Sequence, residues 1–239
     1  MRVITNERYV QIHKYLATAT SLIGVLTLFA SILLPFFQPS YGETPPIWLV
    51  LIAIAFAATG LRLSHYWLRE PLPHDALDQG LKGFPAGSAL YHYRLPVPHV
   101  LVAPTGVFAL TVKPYPIGVH IEEGGWRRAG RPLGNLLSAI YRQDSIGDPG
   151  RLATRQAQKL QAWLDKHLPD NDVTVQPIVV FSSPQAALNV EKQSEPPTFY
   201  ADKRKPSLKT AIRAMPKANT LSPEQIAALE AAAGITTND

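Results

Sequence analysis

The chain has no cysteine among its 239 residues. That excludes a disulfide-stapled scaffold and any metal site built on thiolates, and it fits a reducing or redox-indifferent location. Charge is missing from one long stretch: between Lys14 and Glu43 there is no Asp, Glu, Lys or Arg. Acid is missing from another. Between Gln79 and Ile121 neither Asp nor Glu occurs, although Lys82, Arg94, Lys113 and three histidines lie there. Also absent are the phosphate-loop, dinucleotide-glycine, Gly-x-Ser-x-Gly and His-Glu-x-x-His patterns, so the usual sequence signals of nucleotide binding, serine hydrolysis and zinc proteolysis are lacking.

The uncharged stretch is apolar. Tyr15 to Phe37 has the length, roughly 20 residues, that a helix needs to cross a bilayer core. A second run, Ile47 to Leu68, is interrupted by Arg62, close enough to the end for its side chain to snorkel to the headgroups. Gln38 to Pro46 between them carries no Lys or Arg, whereas Arg8 and Lys14 precede the first run and Arg62 and Arg69 close the second. The positive-inside rule then places both termini in the cytoplasm, and Tyr15, Tyr41, Trp48, Tyr66 and Trp67 fall where interfacial aromatics are expected. Neither a signal-peptide cleavage site nor a polar helix face is evident. Thr20 with Gly24, and Ala53 with Ala57, would let the two helices approach closely. The net charge of +5 suits an anionic partner, and equally a membrane protein that keeps its positive residues inside.

Beyond a Glu70–Pro73 linker the pattern is that of an α/β domain. A short helix is predicted over Asp75–Leu81 and a first strand over Leu90–Leu95. Val100–Ala103 and Val107–Val112 form a β-hairpin around the turn residues Pro104, Thr105 and Gly106. Ile117–Glu122 is a further strand, followed by Gly124, Gly125 and Trp126, and Leu133–Arg142 reads as a helix. After Pro149, Ala153, Ala157, Leu160, Leu164 and Leu168 recur at helical spacing, while Arg155, Gln158, Lys159, Gln161 and Lys166 take other faces. Val173–Phe181 is the last core strand, with Pro177 marking an edge or irregularity. Glu195–Thr198 is expected to be loop. Lys203, Arg204, Lys205, Lys209, Arg213 and Lys217 then form a basic run, either a phosphate-binding patch or a solvated face near an anionic membrane. Ser222, Pro223 and Gln225 open a terminal helix with a capping box, and Gly234 ends it.

The hairpin VPHVLVAPTGVFALTVK, Val97 to Lys113, resembles the core of the NERD (nuclease-related) domain, a branch of the restriction-endonuclease-like nucleases. His99, Gly106, Val107, Phe108 and Lys113 match the family pattern, and the Gly-then-Trp and Val-Val-Phe segments follow in family order. Two positions depart from it: Pro98 stands where the family carries an aspartate and Thr111 where it carries a glutamate. The resemblance implies a mixed sheet flanked by helices. The family chemistry needs carboxylate ligands for Mg2+, so Pro98, His99, Thr111 and Lys113 are read as a remnant motif with no catalytic residue and no resident metal or cofactor.

The resulting expectation is a membrane anchor over 1–70, with spans of about 15–37 and 47–68; a cytoplasmic NERD-like α/β domain over 74–217; and a short C-terminal helix over 220–239. The expected location is the bacterial cytoplasmic membrane. The expected function is that of an inactive nuclease-related module binding nucleic acid or a protein partner, with Lys113, Arg94, Lys203, Arg204 and Lys205 as anion-binding candidates. The alternatives are an active Mg2+-dependent nuclease using displaced acids Glu122 and Glu123, and a purely structural membrane-anchored interaction protein.

Overall fold

The computed structural model describes residues 1–37, 46–114, 118–122, 125–128, 148–190 and 195–235. The helix expected over Leu133–Arg142 lies outside them. The chain divides into two units: an apolar helix pair within Glu7–Leu72, and an α/β unit made of Met1–Asn6 and the described chain from Pro73 onward.

In the first unit, helix α1 (Glu7–Phe37) and helix α2 (Ile47–Trp67) are both long and apolar enough to cross a membrane. Their buried residues recur every seventh position: Val10, Ala17, Gly24 and Ser31 on α1, and Ala53, Gly60 and Trp67 on α2. A seven-residue repeat is the period at which two helices stay in contact by winding left-handedly, and small residues let the backbones close in. A Cβ on Gly24 would stand 2.8 Å from the Ala57 backbone nitrogen, and one on Gly60 would stand 2.6 Å from Ser21 Oγ. Ser21 Oγ and Ser64 Oγ lie 3.3 Å apart across this contact. Thr20, expected at the contact with Gly24, instead donates its hydroxyl to the Leu16 carbonyl on the exposed side of α1. The remaining surface is apolar, with Leu26, Phe29 and Leu51 57%, 60% and 60% exposed.

The second unit contains a six-stranded sheet in the order β1-β2-β3-β4-β7-β9: β1 (Arg2–Thr5), β2 (Ala89–His92), β3 (His99–Ala103), β4 (Gly106–Lys113), β7 (Val175–Phe181) and β9 (Thr198–Tyr200). Strands β5 (Gly118–Glu122), β6 (Gly125–Arg128) and β8 (Ala187–Val190) form a second sheet ordered β6-β5-β8. Helices α3 (Pro73–Gly80), α4 (Pro149–His167), α5 (Leu208–Ala214) and α6 (Pro223–Ala232) complete the described elements. The fold is therefore α/β with a mixed sheet.

Side-chain alternation assigns the two cores. Val100, Val102, Val107 and Ala109 pack with Ala157, Leu160 and Leu164 of α4. Leu101, Phe108, Leu110, Ile178 and Val180 pack with Leu77, Leu208 and Ile212 of α3 and α5. Strand β4 is thus buried on both faces, which is why it reads as an unbroken apolar run. Its helix α4 begins under Asp148, whose side chain accepts from the Arg151 N–H at 2.8 Å, a cap that satisfies one of the free donors of the first turn.

Several boundaries differ from the sequence expectation for identifiable reasons. The first strand stops at His92 rather than Leu95, because Tyr93 takes a left-handed backbone (φ 57°) and donates its N–H to the Pro98 carbonyl at 2.7 Å; Pro96 and Pro98 lack the N–H a ladder requires. Pro177 is not on an edge strand, since β7 lies between β4 and β9. It falls opposite Ala109 but before β9, which begins opposite Val179, so it has a strand partner on one side only. Glu195–Thr198 is not loop throughout: Thr198 opens β9, and the Pro197 carbonyl accepts from the Val179 N–H at 3.0 Å.

Residues 2–5, expected to belong to the anchor, form edge strand β1, parallel to β2 with Arg2 opposite Ala89 and Thr5 opposite His92. The capping box at Ser222 and Gln225 forms as expected, and Gly234 adopts a left-handed φ of 66°. Leu229 of α6 is buried in the α4-side core. Nearby Glu230 pairs with Arg2 and accepts from the Tyr91 hydroxyl at 2.7 Å. Burial, then the Glu230 carboxylate, raise the Tyr91 phenol above its ordinary pKa.

Because the chain has no cysteine of its own, the helix contact can be read by cross-linking. Full-length protein carrying Ser21→Cys and Ser64→Cys should oxidise to an intramolecular disulfide. Adding Gly24→Leu should suppress it by forcing the helices apart, at a cost of about 1–3 kcal/mol; an unchanged yield on non-reducing gels would contradict the described contact.

Candidate functional site

The end of β4 carries two polar residues on the α4 face, Thr111 and Lys113. Thr111 is 2% exposed, and its hydroxyl donates to Gln156 Oε1 on α4 at 2.6 Å. Lys113, the last residue of the strand, is half-buried. Burial lowers its ammonium below the ordinary lysine pKa, while its backbone carbonyl accepts from the Ser182 N–H at 3.1 Å. Pro98 directly precedes β3, and its carbonyl accepts from the Tyr93 N–H. Pro98 brings no ligand atom from its side chain, and the Thr111 hydroxyl is already committed to Gln156. This pair is a poor substitute for the hard anionic oxygens that Mg2+ demands.

His99 lies on the other face of the sheet. It is the register partner of His92, and the two rings meet at Nδ1 to Nδ1, 2.8 Å. His92 Nε2 lies 3.0 Å from Asp78 Oδ1 of α3. A carboxylate only accepts, so the His92 Nε2–H donates to Asp78; in the neutral His92 ring Nδ1 is then the acceptor for the His99 Nδ1–H. That leaves a lone pair on His99 Nε2, a buried atom with no hydrogen-bond partner among the described residues. His99 is 1% exposed. Burial, then the neighbouring His92 and His74, hold its pKa well below the ordinary histidine value, so the ring is neutral. Sequence reading places the two histidines on separate elements without linking them. Their only signal is their symmetric position about the Tyr93–Pro98 connection.

The anion-binding candidates separate into engaged and open side chains. Arg94 reaches the Thr5 carbonyl at 3.4 Å and so ties β1 to the connection after β2. Arg204 pairs with Asp202, donates to the carbonyls of Ser183, Pro184 and Ala186, and lies 4.2 Å over the Tyr200 ring; its guanidinium serves the protein's own loops. Lys203 and Lys205 are exposed and line an open cleft with Leu188, Pro206, Ser207, Thr210 and Ala211. Lys209 and Arg213 donate to the carbonyls of Lys82 and Gly83. Among the described residues no group of three or more His, Asp or Glu side chains is arranged to hold a metal ion. Glu123 and the Glu122 side chain lie outside the described residues.

A second cationic feature was not singled out in the sequence. Arg151, Arg155, Lys159 and Lys166 are all exposed on α4. At about 100° per residue they fall within roughly 80° of one another and extend over about 22 Å. The four-residue spacing from 151 to 159 was the available signal.

Residues 80–182 match the family model of the nuclease-related domain, NERD. The matched stretch includes β2, the β3–β4 hairpin, α4 and β7. Among curated proteins and among solved structures, nothing matches the chain.

The histidine cluster makes stability depend on pH in a stated direction. The unfolded chain takes up a proton on His99 near pH 6.5, and the folded chain only at much lower pH. Stability should be level above about pH 6.5 and fall below it, with His99 contributing up to about 1.4 kcal/mol per pH unit. The groups facing His99 and its partner are His92, His74, Asp78 and Tyr93, with Asp75 beside His74. Thermal unfolding of the full chain in detergent between pH 8 and pH 5 should show the fall, and His99→Gln should flatten it; an equal slope in both proteins would rule out the assignment.

Proposed function

We propose that this protein is a membrane-anchored nuclease-related module that binds nucleic acid without hydrolysing it. The observation that carries the loss of hydrolysis is the replacement of both family acids, by Pro98 and Thr111, with the Thr111 hydroxyl taken up by Gln156. A divalent ion stabilises phosphoryl charge and generates hydroxide only where anionic ligands hold it. Lys113 then remains as a cation without the metal it would accompany.

Anchoring is supported by the two apolar helices and by the Lys and Arg residues outside the apolar runs. It is also supported by β1, which precedes α1 yet pairs with β2, which follows α2. A sheet whose neighbouring strands flank both helices fits an even number of crossings, and the flanking charges favour a cytoplasmic α/β unit.

Nucleic acid is supported by the α4 stripe of Arg151, Arg155, Lys159 and Lys166, which matches the repeating charge of a phosphate backbone. Four phosphate contacts on duplex DNA would give a log–log salt slope of about −3 to −4.

Fluorescence anisotropy of labelled DNA with the full chain in detergent should show binding at low salt with about that slope, weakened at least tenfold by Arg155→Glu with Lys159→Glu. No cleavage should occur with Mg2+ or Mn2+. Cleavage abolished by Glu122→Gln or Glu123→Gln would instead establish a nuclease with displaced acids. Absence of binding at low salt, with a protein partner co-purifying, would establish a structural anchor.

A further inference from the structure

We propose that the edge of the main sheet formed by the C-terminal ends of its parallel strands is a lipid-facing surface, taking the anionic headgroups of the bilayer that the apolar helices cross. The inference rests on the anchoring just proposed and adds a second binding surface to the module. Strand β1 is parallel to β2, β2 and β4 are both antiparallel to β3, and β4, β7 and β9 are parallel. The C-terminal ends of β1, β2, β4, β7 and β9 therefore share one edge.

Both chain connections to the apolar helices leave from that edge. Asn6, directly after β1, donates its backbone N–H to the His92 carbonyl at 2.9 Å and its side-chain amide to the Tyr93 carbonyl at 3.2 Å. At the start of α3, the His74 ring lies 5.8 Å from the Tyr93 ring. Glu7 of α1 follows Asn6 immediately, and five residues separate Trp67 from Pro73, a reach of about 20 Å at full extension. Both short connections of the α/β unit to the helices therefore start at this edge.

The same edge is cationic. Lys113 ends β4, and Lys203 and Lys205 lie in the loop that leaves β9. Helix α4 ends near the start of β7, where Gln161 accepts from the Val175 N–H, so its first turn, with exposed Arg151, points back to this edge. Asp78 is engaged by His92, Asp75 by His74, Asp148 by the first turn of α4 and Asp202 by Arg204, while Glu7 and Glu70 on the two connections are exposed beside Arg8 and Arg69. Basic residues within a Debye length of an anionic bilayer, about 8 Å at physiological salt, each strengthen partition about fivefold. The α4 stripe starts at this edge and runs away from it, so Lys159 and Lys166 stay clear of the lipid.

The test is lysine acetylation by a membrane-impermeant reagent on the full chain reconstituted in vesicles, read by mass spectrometry. Labelling of Lys203 and Lys205 should be about fivefold lower in vesicles containing phosphatidylglycerol than in pure phosphatidylcholine. The difference should vanish at high salt, with Lys159 and Lys166 unchanged throughout. Equal labelling in the two lipids overturns the proposal, and so does protection that appears only when DNA is added to neutral vesicles. Alkaline extraction separates the premises: a chain released from the bilayer refutes the anchoring, whereas a retained chain with equal labelling refutes the lipid-facing edge alone.

Discussion

Two-sided burial of β4 is the constraint on which the α/β unit rests. The strand lies between antiparallel β3 and parallel β7, covered by α4 on one face and by α3 and α5 on the other. Whatever residue stands at position 111 is therefore removed from water. A carboxylate there is tolerable only with a bound cation or a basic partner, because an unpaired buried charge costs several kcal/mol, on the order of 3–5 when a partner is removed. Threonine against Gln156 solves the same packing problem with one neutral hydrogen bond.

The parts of the fold legible in the sequence are those written in local periodicity. The β3–β4 hairpin, the amphipathic α4, the Val175–Phe181 strand and the capped α6 follow from alternation, helical spacing and end signals. The apolar pair was legible from length and composition, although the buried positions run every seventh residue from Val10 rather than through Thr20. Strand β1 was not legible, because four residues carry almost no pattern and its partner lies beyond two helices.

The site was legible in its residue types and much less so in its geometry. The stretch from Gln79 to Ile121 without Asp or Glu is visible in the chain itself. That His99 faces away from Lys113, and joins His92 and Asp78 on the other side of the sheet, depends on register. Arg204 shows the same limit: its charge is plain from the residue type, but only the fold shows that its guanidinium is spent on three carbonyls and a carboxylate.

The position of β1 has a consequence for how the protein is made. Arg2–Thr5 form an edge strand whose neighbour, Ala89–His92, is synthesised more than eighty residues later, after both apolar helices. Arg2–Thr5 stay without their strand neighbour until the helix pair between them has been made. Completion of the sheet is then a late event in biogenesis.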